Sequence, residues 1–140
     1  MLRNILWCKR EQKGQSTVEF AILLPFLILL LLGIIQFGII FSSYITVTSA
    51  AREGARIAIV GASDSEIKNK VIDSAAATPF LEQLTPADIT VTPSTRVQRQ
   101  PVIVSVNASV KILVPFLDYL VGSSFPVTSR AQMLVEYVSG

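Results

Sequence analysis

The chain is 140 residues long and half hydrophobic, with one cysteine and no histidine. That length holds one small domain plus one membrane span, and the missing histidines exclude serine–histidine and cysteine–histidine catalysis along with the usual zinc sites. The formal charge of +2 belongs to residues 1–14, where Arg3, Lys9, Arg10 and Lys13 face only Glu11; the other 8 basic and 9 acidic residues net −1, which leaves nucleic-acid binding without support.

Residues 1–14 read as a polar leader with one apolar patch, Leu2 to Trp7. Cys8 lies in it, so no disulfide staples anything downstream; an idle reduced thiol is the simplest reading. The run Phe20 to Phe41 carries no charge over 22 residues, enough to cross the roughly 30 Å hydrocarbon layer. It is too long for the apolar part of a secretory signal, and no small-residue cleavage site follows it closely. Basic residues beside a span stay cytoplasmic, so the N-terminus is expected inside and the residues after about 42 outside.

Helical character runs from about Gln15 to about Val60, with Pro25 inside it, as membrane helices tolerate. Forty-five residues at 1.5 Å each make a rod of roughly 68 Å, about twice the hydrocarbon thickness, so half of it is expected outside lipid. Gly61-Ala62-Ser63 breaks the helix. A Ser63…Glu66 capping box opens a second one, with Ile67, Val71, Ile72 and Ala75 as its apolar stripe. Thr78-Pro79 ends it, and Phe80, Leu81 and Leu84 form a short apolar turn suited to cover an edge of the core.

From Asp88 the period changes to two, first at Ile89 and Val91. A polar loop, Ser94 to Gln100, carries Arg96 and Arg99, read as solvated surface charge. In the next strand Val102, Val104, Val106, Ala108, Val110 and Ile112 face one way. Phe116 to Gly122 is a connection in which Asp118 serves as a cap, and a last strand is expected over about Val127 to Val138. The fold class is therefore α+β: a long N-terminal transmembrane helix continuing outside the membrane, packed with a second helix against a small three-stranded antiparallel sheet. The expected domains are 1–14, 15–60 and 61–140. A small domain without disulfides is marginal alone, so the outer half of the helix is expected to complete its core.

Two motifs stand out. Gly14 precedes Glu19 at the membrane edge, where a carboxylate is costly and usually has a task. The plain alternative is a single-pass anchor with Glu19 snorkelling to the interface and Gly14 as a joint. The second motif is Ala50-Ala51-Arg52-Glu53-Gly54-Ala55-Arg56. Ala50, Gly54 and Ala58 recur every fourth residue, a smooth stripe on which another backbone can approach, while Glu53 reaches Arg56 at i+3. Its readings are equally weighted: a face for another subunit or assembly protein, or contact with the chain's own sheet beneath a solvated charged rim.

Gly14-Gln15-Ser16-Thr17-Val18-Glu19-Phe20 resembles the class III leader of type IV pilins and pseudopilins. The wider set, with Leu24-Pro25, Gly33, Phe37-Gly38 and Ala50 to Arg56, resembles the TadE family of tight-adherence (Flp) pilus assembly. The resemblance implies cutting after Gly14 by a membrane aspartyl protease, the prepilin peptidase, which leaves Glu19 fifth in the mature chain. It also implies a minor pseudopilin of a Flp pilus or related secretion apparatus in the cytoplasmic membrane, whose partners are lipid, the peptidase, other pilin subunits and assembly proteins. Pro25, Gly33 and Gly38 would then join Ala50, Arg52, Glu53, Gly54, Arg56 and Ala58 in packing and assembly. Cleavage would create an amine at Gln15 one turn before Glu19, and the pair attracts strongly at low dielectric, either within one helix or between neighbours. No cofactor, nucleic acid or small-molecule substrate is expected, and the chain reads as an enzyme's substrate rather than an enzyme. The rival reading is an uncleaved single-pass protein whose outer domain is a protein-binding module.

Overall fold

The computed structural model describes residues 13–114, 119 and 122–136. Arg3, Cys8, Lys9 and Arg10 of the leader, Asp118, and the residues after 136 lie outside the described residues. The chain divides into two units, residues 1–34 and 35–140, and the first helix, α1, Lys13–Ala58, contributes to both.

In the first unit, α1 is apolar on every side from Phe20 onward and exposed from Phe20 to Leu31; Leu23, Phe26 and Leu30 are 58%, 68% and 62% exposed. A helix that is apolar all round belongs in a core or a membrane. Among the described residues it is the one helix long and apolar enough to cross a bilayer, with a mean hydropathy of 2.8 in its most apolar window. This suggests a single-pass membrane protein. Pro25 lies inside the helix, which continues on both sides of it.

The second unit is built on a three-stranded antiparallel sheet, β1 Ile89–Thr92, β2 Pro101–Lys111 and β3 Ser124–Leu134, in the order β1-β2-β3. The register sets apolar positions opposite one another: Ile89 faces Val106, Val104 faces Ala131, and Ala108 faces Val127. All six are buried. Val102, Val104, Val106 and Val110 of β2 are fully buried on that same face, each contributing about 1.5–3 kcal/mol of apolar burial as an upper figure. They form the centre of the core. The last strand starts at Ser124 and ends at Leu134, earlier at both ends than expected. Its first residues pair all the way to Lys111 of β2, and this ladder overrides the weak alternation of its sequence. Beside β1, Leu81 bridges to Val110 and the Glu82 N–H donates to Ser109 O at 2.8 Å. The segment expected to cover an edge thus extends the β1 side of β2.

Helix α1 and a second helix, α2, Asp64–Ala75, cover the apolar face. From residue 35 onward, α1 buries Gln36, Ser43, Val47, Ala50, Ala51, Ala55 and Ala58, a helical stripe of mostly small residues that admits close approach. α2 buries Ile67, Val71 and Ala75, while Ile72 is half-buried. Its capping box is formed: Ser63 N–H donates to Glu66 Oε2 at 2.8 Å, and Glu66 N–H donates to Ser63 Oγ at 3.4 Å. A matching pair closes the 3-10 turn Pro86–Asp88, where Thr85 N–H and Oγ1 donate to Asp88 Oδ2 at 2.8 and 2.7 Å.

These caps carry a pH dependence. Glu66 is held below its ordinary 4.5, first by the Ser63 backbone N–H and then by the Ser63 hydroxyl. Asp88 is held below 3.8, first by the Thr85 hydroxyl and then by its N–H. Both folded-state values are depressed, so their contribution is complete above the unfolded-state values near 4 and is lost as pH falls through the lower folded ones. Glu66 is exposed and Asp88 half-buried, and screening by solvent keeps the effect small. Acidification from neutral to below about pH 4 is expected to lower the Tm of the full chain in detergent. The double variant Glu66→Ala, Asp88→Ala should start lower but fall less over the same interval. An equal fall in both proteins would assign the acid sensitivity to other carboxylates.

Candidate processing segment and packing face

Gly14 is the second residue of α1 and is exposed. A Cβ placed on it would meet nothing within 4 Å. Glycine disfavours the helix by about 1 kcal/mol relative to alanine, so the Gly14–Gln15 bond sits where the helix unwinds most readily. Gln15 and Glu19 are exposed on one face, with Gln15 Nε2 donating to Glu19 Oε1 at 3.3 Å. The i, i+4 spacing that suggested an amine–carboxylate contact is thus in place within a single helix.

Further along, Pro25 and Gly38 are exposed and Gly33 is half-exposed. Added Cβ atoms at Gly33 and Gly38 would also meet nothing within 4 Å. Around both glycines the helix surface is open.

The small-residue stripe is placed differently. Ala50 and Ala58 are fully buried in the second unit. A Cβ on Gly54 would lie 2.5 Å from Val71 Cγ2 and 3.4 Å from Val104 Cγ1. Of the two readings of this stripe, the structure shows the intramolecular one: Ala50, Gly54 and Ala58 meet the chain's own core and are not left as an open face for another subunit. The charged residues between them form the rim. Arg52 and Arg56 are exposed, and Arg56 Nη2 donates to Glu53 Oε1 at 3.2 Å.

Two residues have roles that sequence reasoning did not assign. Gln36, the polar residue inside the uncharged run, is 2% exposed. Its Nε2 donates to Lys111 O at 3.3 Å, and its Oε1 accepts from Leu113 N–H at 2.9 Å. The side chain thereby clamps the backbone just past the end of β2. The signal was available, since an amide is costly in an apolar medium unless it is paired. Arg96 is a correction. It was read as solvated, but its side chain is 11% exposed and donates to Ala62 O and to Asp64 Oδ1. It ties the loop after β1 to the start of α2. No local signal distinguished it from Arg99, which is exposed, because its partners lie more than thirty positions away.

No curated protein and no solved structure matches the chain. The family model described as TadE-like protein matches residues 14–56, about a third of the chain. That segment holds Gly14, Glu19 and the Ala50-to-Arg56 motif, the same residues on which the resemblance was read, and over it the chain is TadE-like.

Proposed function

We propose that this chain is a minor pseudopilin of a tight-adherence pilus or related secretion apparatus, cut after Gly14 by a prepilin peptidase. The coarser statement, a role in tight-adherence pilus assembly, is supported by the TadE-like match over residues 14–56. The observation that carries the finer reading is the exposed glycine at the start of an apolar helix, with Glu19 five positions on. A protease needs an extended bond, and a terminal helical turn weakened by glycine unwinds at small cost. Cleavage would also remove the four basic residues that hold the N-terminus in the cytoplasm during insertion. The new amine would lie one turn from Glu19, an attractive pair in lipid.

In this reading the chain is a substrate and structural part, not a catalyst. Its partners are the peptidase, other pilin subunits and assembly proteins in the cytoplasmic membrane, with the sheet domain outside. The open surface around Gly33 and Gly38 is where another helix can approach.

Mass spectrometry of the full chain co-expressed with a prepilin peptidase tests this. The expected product begins at Gln15, and Gly14→Ala is expected to keep the precursor mass. A wild-type chain of unchanged mass beside active peptidase, shown on a pilin cut in the same cells, would overturn the processing claim and favour the uncleaved anchor with a binding domain.

A further inference from the structure

The second unit presents apolar side chains at one end of its sheet, and α1 gives that end a height. Gln36 clamps Lys111 and Leu113, Thr48 Oγ1 accepts from Ser129 Oγ at 3.1 Å, and Gly54 abuts Val104. From Gln36 to Gly54 the helix rises about 27 Å. From Ile112 back to Val104 the strand covers about 27 Å as well. Strand β2 therefore runs alongside residues 36–54 of the helix, with its Lys111 end at the level of Gln36.

That end falls at the edge of the predicted span. Twenty residues cover the hydrocarbon layer, which takes the uncharged run from Phe20 to about Ile39, just beyond Gln36. At this level the second unit exposes Leu113 (54%), Phe125 (38%), Phe37 (74%) and Phe41 (65%). Phe37, Phe41 and Phe125, with Tyr44, line a surface groove of about 370 Å³. Lys111 is exposed at the same sheet end. Apolar and aromatic side chains beside a lysine are what the interfacial layer of a bilayer accommodates.

We infer that this end of the sheet, around Leu113 and Phe125, is seated in the headgroup layer of the membrane that α1 crosses. The inference rests on the membrane reading of α1. Its occupant is lipid because the patch is continuous along α1 with the uncharged run itself. Lys111, exposed at the same sheet end, is placed to meet headgroup phosphates.

The test uses the full chain with Cys8→Ser and one cysteine at a time, Leu113→Cys, Phe125→Cys, Leu134→Cys or Leu27→Cys. Each carries an environment-sensitive dye in phosphatidylcholine/phosphatidylglycerol vesicles. Leu134 is a stringent control, being 62% exposed and apolar but at the opposite sheet end, about 34 Å away along β2. Lipids spin-labelled at the headgroup or upper acyl chain should quench the dye at 113 and 125 and leave it unquenched at 134. Lipids labelled at mid-chain should quench it at 27. Equal behaviour at 113, 125 and 134 would overturn the seating, whereas an unquenched dye at 27 would overturn the membrane reading itself. Blue-shifted emission at 113 and 125 that no spin-labelled lipid quenches, and that is lost on dilution with lipid, would assign the patch to a second copy of the chain and overturn the lipid assignment.

Discussion

Gly54→Leu is expected to abolish or severely weaken the folded second unit, with a loss of about 3 kcal/mol or more. The smaller change Gly54→Ala decides the cause. Alanine gains about 1 kcal/mol of helix propensity over glycine, so at an exposed site it would stabilise. Here its Cβ falls 2.5 Å from Val71 Cγ2. Val71 is fully buried, and as a β-branched residue in a helix it has essentially one rotamer, so it has no easy escape. Overpacking of this kind costs about 1–3 kcal/mol, enough to offset the propensity gain and leave Gly54→Ala less stable than wild type. Adding Val71→Ala should return part of the loss, making the double variant more stable than the sum of its single changes. Denaturant unfolding of the full chain in detergent, followed by circular dichroism, compares wild type, Gly54→Leu, Gly54→Ala, Val71→Ala and the double variant. A Gly54→Ala chain as stable as wild type would show that helices and sheet do not approach this closely.

Gln36→Leu is the second large effect, and its direction is opposite to what hydropathy suggests. Leucine favours the uncharged run, but that gain applies equally whether or not the sheet domain is folded against the helix. The loss is specific to the folded state, where Leu113 N–H and Lys111 O lose their partner. An unpaired donor or acceptor of this kind costs about 1–3 kcal/mol. Hydrogen exchange should therefore accelerate at the Leu113 amide by about tenfold or more, with the far end of β2 changing less. Phe37→Leu, beside it but 74% exposed, should leave that exchange unchanged. Unaltered protection of Leu113 in Gln36→Leu would remove the clamp as a stabilising contact.

The two variants bear on how the TadE-like segment is read. Residues 14–56 mix positions of different use. Gly14 and Glu19 are exposed, and Gly33 and Gly38 have open surroundings, whereas Ala50, Gly54 and Ala55 are core. In this chain, the C-terminal part of the matched segment packs against the chain's own domain.

Much of this was legible in the residues because it depends on near neighbours in sequence. The uncharged run from Phe20 to Phe41 announces a span by length. Ser63 and Glu66 fix the start of α2 through bonds three residues apart, and the alternation Val102 to Val110 declares a strand with one buried face. The candidate processing segment is local too, since Gly14, Gln15 and Glu19 occupy two turns of one helix. Other features needed contacts between distant parts. Arg96 and Arg99 have the same local setting, yet only Arg96 finds Ala62 and Asp64. The stripe of Ala50, Gly54 and Ala58 admits any close-packing neighbour, and periodicity cannot say whether that neighbour is another chain or the same one.

The candidate span, the charge asymmetry around Gly14, the α+β class and the buried faces of β1 and β2 were thus legible from the residues alone. Each of these follows from composition, run length or periodicity along neighbouring residues. The tertiary structure decided that the small residues serve the chain's own core, that Arg96 is nearly buried, and that Gln36 clamps the end of β2. Those outcomes depend on which surfaces meet across seventy or more positions for Gln36 and more than thirty for Arg96. A side chain's polarity states only that it requires a partner. Which partner it finds is settled when β2 comes to lie along α1.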